Sequence, residues 1–516
     1  MANGKKRALI SVHDKTGIVD LARELIARGY DIVSSGGTYK ALIAAGVKVV
    51  SVEDVTGFPE MLDGRVKTLH PKIHAGILAR GTEEHMAQMA GQGIGTFDIV
   101  VVNLYPFEEA VSDNAVPIEV AVENIDIGGP SMIRSAAKNH ERVAVVVSPD
   151  QYPLVLSELR ERGALSAETR RRLAVEAFEC TATYEAAIFA FLHGRFLPNE
   201  RFPRTLVPVF RKVEEMRYGE NPHQGGAFYR EARLTEPSVT SAKVLHGKQL
   251  SYNNILDAND ALELVKDFER PTVTAVKHTN PCGVASADTI EEAFRRAMEV
   301  DPLSAYGGVL ALNRPFSLPI ADGLKKVFLE IIIAPSYDPA ALEQMRKKKN
   351  LRILEVGELG RKDASGRELR SVVGGLLVQD RNLKRLDPSM CQVVSKRAPT
   401  PEEMASLEFG YRVVKHVKSN SIVLAKGEVT VGIGAGQMSR VDAVKLAVMK
   451  SHGKSAGSAM VSDAFFPFRD GIDEAAKGGV TAVAHPGGSI RDQDSIDAAN
   501  EHGMAMIFTG LREFKH

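Results

Sequence analysis

The stretch Thr272-Val-Thr-Ala-Val-Lys277-His278-Thr-Asn-Pro-Cys-Gly283 sets a cation beside an imidazole. Val273, Ala275 and Val276 form a short apolar run of β type, so its first half predicts a buried strand. Asn280-Pro281 and Gly283 predict the turn that stops that strand. Lys277 and His278 then fall at a strand end, the edge where open α/β sheets gather ligands. The ammonium opposes a second positive charge beside it and favours a neutral ring. A neutral imidazole accepts a proton while the ammonium stabilises a developing oxyanion. That pairing suits acyl or formyl transfer to a weak amine nucleophile. Two solvated polar residues at a strand end are the competing reading.

A second set of chemical residues lies in the first 140 positions. Ser34-Ser35-Gly36-Gly37-Thr38 has the form of a phosphate cradle: glycines admit an anion to backbone N–H groups, and hydroxyls add donors. The segment from Gly64 to His74 concentrates Arg65, Lys67, His70, Lys72 and His74 around Thr68. A buried strand from Phe97 ends in Asn103-Leu-Tyr105-Pro-Phe107. Asp126 precedes Gly128-Gly129 at a helix start and would repel a phosphate there, unless it serves as a base or orients a cation. One carboxylate, several lysines and a tyrosine around a cradle predict acid–base catalysis on a phosphorylated small molecule.

The elements that must position these groups alternate. Strand Ala8 to Val12, a helix closed by Gly29, strand Asp31 to Val33, a helix from Tyr39 and a third strand Val47 to Val52 predict a parallel α/β sheet. Helices from Gln151 to Arg162 and after Ser166 carry Leu173, Phe178, Ile188 and Phe191 as a core or dimer stripe. Proline and aromatic residues from Leu197 to Phe210 mark a junction between domains at 1–195 and 205–516. Beyond it, Arg217-Tyr218 opens a polar turn able to hold an anion and stack on a ring. Arg346 to Lys349 reads as a solvated helix end, and Glu355 to Arg370 as a surface loop. Val431-Gly-Ile-Gly-Ala-Gly-Gln437 lacks the third glycine of a dinucleotide fingerprint, so its glycines predict close strand–helix packing instead. Phe465-Phe466-Pro467-Phe468, between Asp463 and Asp470, is either an aromatic wall for a planar ligand or a buried turn.

Composition sets outer limits. At 516 residues the chain exceeds one ordinary core. Lys+Arg and Asp+Glu balance at 65 each, so no global field attracts a polyanion such as nucleic acid. Cys180, Cys282 and Cys391 form neither a disulfide framework nor a metal-ligand pair. No apolar run reaches membrane-spanning length, and the basic start Lys5-Lys6-Arg7 leads into a short strand, so a cytoplasmic protein is expected.

Read in order, VKTLHPKIHAG, NLYPF, IDIGGPS, RYGENPHQ, VKHTNPCG, GIGAGQ and SDAFFPFRD make the chain resemble a known family nearly end to end. It is the bifunctional purine-biosynthesis family that joins a formyltransferase acting on aminoimidazole carboxamide ribonucleotide (AICAR) to an inosine monophosphate (IMP) cyclohydrolase. The resemblance implies an α/β fold, with an N-terminal methylglyoxal-synthase-like parallel-sheet domain and two cytidine-deaminase-like α/β/α subdomains. No sequence repeat betrays that duplication, and the deaminase zinc ligands are missing because Pro281-Cys282 has no second cysteine three residues on.

By the same resemblance, His278 takes a proton from the 5-amino group of AICAR, Lys277 polarises the formyl oxygen of 10-formyltetrahydrofolate, and Asn420 holds the formyl group. Arg217, Tyr218, Asn254, Tyr306, Gly307, Glu330, Phe465, Pro467, Asp470 and Arg512 would border the substrates. Ring closure falls to Lys67, Tyr105, Asp126 and Lys138. Ser11, Lys15, Thr16, Ser35, Gly36, Gly37, Thr38, Arg65, Thr68, Asn103, Gly128 and Gly129 would hold the nucleotide. A homodimer with transformylase sites at its interface is implied, and in some relatives a structural potassium ion; no redox cofactor and no metal-ligand set are. His13 and Tyr306 depart from the family, which usually has Ser and Phe there. A regulatory nucleotide-binding module is the alternative for the N-terminal part, but it would need the cradle without the acid–base set.

Overall fold

The computed structural model describes residues 6–62, 64–113, 115–232, 236–360 and 362–516; Lys5 of the basic start lies outside them. The chain divides into two compact units, Met1–Val209 and Phe210–His516.

The first unit is built on five parallel strands: β1 (Lys6–Ile10), β2 (Tyr30–Ser34), β3 (Val50–Ser51), β4 (Ile99–Val101) and β5 (Ala144–Val146). They lie in the order β3-β2-β1-β4-β5. β4 and β5 are buried throughout, as expected for a parallel sheet covered on both faces. The expected third strand shrinks to two residues. Ser51 and Asp54 form a reciprocal capping box, which starts a helix (Val52–Thr56) where the strand was predicted to end. The loops that follow β1, β2 and β4 share the carboxyl edge of the sheet.

The second unit begins with a hairpin, β6 (Phe210–Met216) and β7 (Gly226–Glu231). A six-stranded sheet follows: β8 (Lys243–His246), β9 (Thr272–Lys277), β10 (Asn280–Ser286), β11 (Val309–Leu312), β12 (Ile331–Ala334) and β13 (Arg352–Glu355), in the order β10-β9-β11-β12-β13-β8. A second hairpin, β14 (Arg367–Val372) and β15 (Gly375–Asp380), precedes β16 (Gln392–Val393), β17 (Ile422–Ala425), β18 (Thr430–Gly434), β19 (Ala459–Ser462), β20 (Ala482–His485) and β21 (Ala505–Phe508). Their order is β16-β21-β20-β19-β17-β18.

Read from its other edge, this last sheet repeats the previous one strand for strand. Each half runs an edge strand, a helix, an antiparallel hairpin, a helix, and then three parallel strands, of which the last pairs antiparallel with the first. The duplication hidden in the sequence is thus plain in the topology.

The edge strands β10 and β18 meet along a seam. Val284 N–H donates to Thr430 Oγ1 (3.0 Å), and Ser286 N–H to the Glu428 carbonyl (2.9 Å). One apolar cluster spans both halves, drawing on helices Tyr252–Val265 and Pro401–Val414. The glycines of β18 serve this packing as expected: a Cβ on Gly434 would lie 2.0 Å from the Ala443 carbonyl, and one on Gly432 2.1 Å from that of Ala447.

Two expectations need correction here. Asn280-Pro281 and Gly283 do not stop the strand; they belong to β10, and the reversal is the two-residue turn His278-Thr279. Pro281 is tolerated because the ladder is bulged there on an edge strand, and Gly283 is required because a Cβ would meet the Ala297 carbonyl at 2.1 Å. Nor is the stretch from Glu355 to Arg370 wholly a surface loop. Lys362 is largely withdrawn from solvent against Asp267 (2.9 Å), in a cluster with Lys415, His416, Glu263 and Arg381, and β14 begins at Arg367.

Candidate functional site

In the second unit the His278-Thr279 turn has both residues in the left-handed region, with φ of 51° and 61°. Such a turn favours Asn-Gly, because a Cβ is strained there. The half-buried Asp257 carboxylate, one turn into the preceding helix, accepts the Thr279 N–H (2.8 Å). Burial raises the proton affinity of Asp257, while the N–H groups of the turn and the neighbouring imidazole oppose the rise.

Lys277 Nζ donates to the Tyr306 carbonyl (2.7 Å), which fixes it against the Tyr306-Gly307 loop. Tyr306 and Phe328 pack with ring centroids 5.4 Å apart, and Glu330 pairs with Arg352 (2.7 Å). From the other half, Asn280 Oδ1 receives the Lys418 N–H (3.0 Å), which ties the turn to the Asn420 loop.

Asn420 is held on every side. Its Nδ2 donates to the Gln437 and Met438 carbonyls (2.9 and 3.2 Å), and its Oδ1 accepts from Arg440 Nη2 (2.6 Å). The buried Arg440 also donates to Ser462 Oγ (2.8 Å) and pairs with the fully buried Asp463. The chain end closes over this group: Glu513 N–H donates to the Asp463 carbonyl (2.8 Å), and Arg512 stacks over Phe514 at 4.6 Å.

In the first unit, Asn103 staples the β1 loop. Its Oδ1 accepts the His13 and Asp14 N–H groups (2.6 and 2.9 Å), and its Nδ2 donates to the Asp14 carbonyl (2.9 Å). Ser35 stands before the helix Gly36–Ala44 without a side-chain capping bond, its hydroxyl 3.2 Å from that of Ser11. Gly36 is left-handed (φ 53°), and a Cβ on it would lie 3.1 Å from Lys67 Nζ; Lys15 lies beside Gly37. Thr68 Oγ1 lies against Gly128, where a Cβ would come within 2.7 Å.

Asp126 Oδ1 accepts the Gly129 N–H (2.8 Å), and its own N–H donates to the Tyr184 hydroxyl (2.7 Å). Burial raises the proton affinity of its carboxyl, opposed by the Gly129 N–H, Lys67, the Gly128 N–H and His13. The His13 and Tyr105 rings stand 4.8 Å apart. Lys67 thus stands between the helix start at Gly36, suited to a phosphate, and the desolvated Asp126 carboxylate, with Tyr105 beside His13.

Comparison with known proteins matches residues 136–450 to the family described as AICARFT/IMPCHase bienzyme, and residues 17–131 to the MGS-like domain. The Bifunctional purine biosynthesis protein PurH of Acetivibrio thermocellus is 52% identical over 99% of this chain and 100% of its own. That of Bacillus cereus strain G9842 is likewise 52% identical over the same shares. The chain belongs to the AICARFT/IMPCHase bienzyme family. It is a bifunctional AICAR formyltransferase and IMP cyclohydrolase, acting in the last two steps of IMP biosynthesis. Formyltransferase activity implies a folate formyl donor. A solved chain titled "Crystal structure of ForH" is 38% identical over 36% of this chain and 99% of its own, with a TM-score of 0.34.

Within this bienzyme the structure gathers Lys277, Tyr306, Gly307 and Glu330 on one sheet edge, to which the Asn420 loop of the other sheet is tied through Lys418 and Asn280, and Arg217-Tyr218 in the hairpin loop that meets the helix carrying Asn254 and Asp257 through Asn253 Nδ2 and the Glu220 carbonyl (3.4 Å). Asn254 itself caps that helix, its Oδ1 accepting the Ser251 N–H (3.1 Å). In the aromatic run Phe466 is buried beside His485, as the buried-turn reading expects, while Phe465 and Phe468 are exposed. Pro467 and Asp470 are exposed too, and Asp470 accepts the Gly471 N–H (2.8 Å).

Several nucleotide-binding expectations change character. The Thr38 hydroxyl is buried and spent on both backbone groups of Val12 (2.8 and 2.9 Å), so it bolts the β1 loop to the cradle helix. Arg65 is engaged with Glu123, and the Thr16 N–H with Asp14 (2.9 Å). Lys138 stands apart, exposed on the last turn of the helix Gly128–Lys138, roughly 15 Å along the axis from the Asp126 end. Sequence reasoning missed Asp257 as the turn's acceptor, and Tyr184, Arg440 and Asp463 altogether. An Arg on the first turn after a glycine-rich strand, near an Asp at the next strand's end, was the only available signal.

Proposed function

We propose that formyl transfer takes place at the Lys277-His278 turn of the second unit, and ring closure at the Gly36–Lys67–Asp126 group of the first. The observation that carries the reading is the bond from Lys418 N–H to Asn280, which joins the two catalytic loops of the second unit at one end of the seam.

With AICAR and 10-formyltetrahydrofolate bound, His278 accepts a proton from the 5-amino group as its nitrogen attacks the formyl carbon. Lys277 stabilises the oxyanion that forms. Collapse breaks the bond to the folate nitrogen, which leaves with a proton as tetrahydrofolate. Asn420, clamped by Arg440 and the 437–438 carbonyls, orients the formyl group rather than moving to meet it. Arg217, Tyr218, Asn254, Phe465 and Arg512 border the nucleotide and donor.

In the first unit the cradle of Ser35, Gly36 and Gly37, with Ser11 and Lys15, takes the phosphate of formyl-AICAR. Asp126, its proton affinity raised by burial, draws a proton from the carboxamide nitrogen as it attacks the formyl carbon, and Lys67 and Tyr105 assist the loss of water. Lys138 reaches this group only if the helix end is approached by the substrate's far side.

The enzyme works as a cytoplasmic homodimer. Among the described residues no cluster of His, Cys, Asp or Glu could hold a metal. The buried Ser421 hydroxyl, without a hydrogen-bond partner, is compatible with a structural potassium ion, which would supply a fixed charge and enter no step.

The test is an absorbance assay of tetrahydrofolate release with identification of the nucleotide. The wild-type protein should yield IMP. His278→Ala should lose formyl transfer but cyclise added formyl-AICAR, and Lys67→Ala should accumulate formyl-AICAR. Loss of both activities in a folded His278→Ala protein contradicts separate sites.

A further inference from the structure

One helix of the second unit, Arg440–Lys450, reaches both loops that carry the proposed formyl transfer. At its first residue Arg440 clamps Asn420 of its own half. At its last, Lys450 crosses the seam to the other half, where its Nζ lies 3.1 Å from Asp301 Oδ2 and 3.1 Å from Ser304 Oγ. The Asp301 side chain is only 8% exposed, so the ammonium meets a largely desolvated carboxylate. The other oxygen of Asp301 accepts the Ser304 N–H (2.9 Å) and starts the short helix Pro302–Ala305.

That helix leads straight into the loop that holds Lys277. Ala305 N–H donates to the Asp301 carbonyl, and the Ala305 carbonyl accepts the Gly308 N–H, both at 3.0 Å. Between them the Tyr306 carbonyl accepts from Lys277 Nζ (2.7 Å). A Cβ on Gly308 would lie 2.7 Å from the Val276 carbonyl, so the loop is pressed against the end of β9. From Lys450 to Lys277 the connection is continuous: ammonium, buried carboxylate, one helical turn, carbonyl, ammonium.

The duplicated fold does not itself demand this bridge. The Ala447 and Ala297 carbonyls occupy equivalent places, each 2.1 Å from a Cβ built on Gly432 or Gly283. Three residues beyond Ala447 stands Lys450, and three beyond Ala297 stands the buried Val300. Nor does apolar packing alone fix the halves here. A cavity of about 20 Å³ lies between Cys282, Val300, Ile433 and the Asp301–Lys450 pair.

We propose that Lys450 is a positioning residue for formyl transfer, which fixes the Tyr306 carbonyl and through it the ammonium of Lys277. The inference rests on the reading of the Lys277-His278 turn as the transformylase site. An oxyanion is best stabilised by a donor already aimed at it, so a Lys277 free to swing loses part of its effect in the transition state.

The experiment compares full-length wild type, Lys450→Met and Lys450→Arg by single-turnover and steady-state release of tetrahydrofolate. Methionine keeps the apolar stem and drops the ammonium. In Lys450→Met kcat for formyl transfer should fall about tenfold, with each KM changed by less than about twofold. Cyclisation of added formyl-AICAR should be unchanged. Lys450→Arg, which keeps the charge and the donors, should recover most of the rate. A Lys450→Met enzyme within about twofold of wild type overturns the proposal, and so does a loss carried by KM alone.

Double-mutant cycles separate positioning from a general structural role. In a Lys277→Met background, Lys450→Met should cost nothing more, because the ammonium that it positions is gone. In an Asn420→Ala background the full loss should remain. An undiminished loss beside Lys277→Met overturns the proposal. A loss that disappears beside Asn420→Ala overturns it too, since the helix would then act through Arg440. If Lys450→Met does not fold, Asp301→Asn keeps the helix cap, removes the charge and should give the same pattern. Failure of the underlying reading is separable, because Lys277→Met would then transfer formyl at the wild-type rate whatever residue stands at 450.

Discussion

Replacing Asp257 by Ala should cripple formyl transfer without touching either reacting group. His278 and Thr279 are both left-handed, and Thr is β-branched, so the turn stores about 2–4 kcal/mol of backbone strain. The Asp257 carboxylate offsets it with a charge-assisted bond from Thr279 N–H, worth about 1.5–3 kcal/mol. The two nearly balance. Without the carboxylate the turn can relax, carrying His278 away from its approach to the amine and loosening Lys277 from Tyr306. If about 2 kcal/mol of that ordering is lost from the transition state, kcat for formyl transfer falls roughly 30-fold. The KM for AICAR should change little, and cyclisation of formyl-AICAR not at all. Asp257→Asn retains an acceptor oxygen and should lie between wild type and Asp257→Ala. Thr279→Gly added to Asp257→Ala removes the strain at one position, and about 1 kcal/mol returned would restore roughly fivefold. Single-turnover release of tetrahydrofolate reads each rate. An Asp257→Ala enzyme within twofold of wild type, or no rescue by Thr279→Gly, refutes the reasoning.

Gly434→Ala should destabilise the second unit by about 1–3 kcal/mol or more in urea denaturation, because the new methyl must push the helix Arg440–Lys450 off β18 and with it the Arg440 clamp on Asn420. Asp267→Asn should cost about 3–5 kcal/mol, leaving Lys415 and Lys362 buried without their shared carboxylate. His485 is buried between Phe466 and Phe508, and that burial, with Arg440 nearby, pushes its pKa down to about 3. The unfolded chain then takes up the proton first, so the stabilisation is complete above about pH 6.5 and is lost as pH falls towards the folded value. Between pH 6.5 and 5 the loss should be about 2 kcal/mol. His485→Phe should flatten the urea midpoint over that range, and an unchanged pH slope would count against the burial argument.

What could be read from the residues follows a physical division. Strand ends and glycine requirements were legible when one local cause dominated. The apolar run before Lys277 predicted β9, and the glycines of β18 were assigned to close packing, where carbonyls lie within 2.1 Å of the missing Cβ atoms. Errors arose where two causes compete for the same residue types. Asn280-Pro281 and Gly283 look like a turn, yet Gly283 answers to the helix carbonyl of Ala297 and the reversal belongs to His278-Thr279, which no turn preference would choose. Ser51 and Asp54 capped a helix where a continuous β run was expected. Groups that act through others were invisible, because Arg440, Asp463 and Asp257 gain their roles only when distant segments are buried together.

The duplicated topology explains why that invisibility falls so unevenly. The two halves of the second unit share one strand order, yet they contribute different chemistry at the seam. In the proposed reaction the first half supplies a proton acceptor on a strained turn and a cation at the strand end before it, and the second supplies a carboxamide immobilised by a buried Arg–Asp pair. A group proposed to react must face open space, so Lys277 stays at a strand end and His278 on the turn beyond it, and both remain recognisable by type. A clamp must be desolvated to be rigid, so Arg440 and Asp463 withdraw into the interior, where an isolated charge would be costly and only its partner makes it tolerable. Symmetric scaffolding with asymmetric duties requires the sequences to diverge wherever they touch the substrate. It leaves only strand order, and the glycines Gly283 and Gly432 that admit the equivalent helices to β10 and β18, as the common signature.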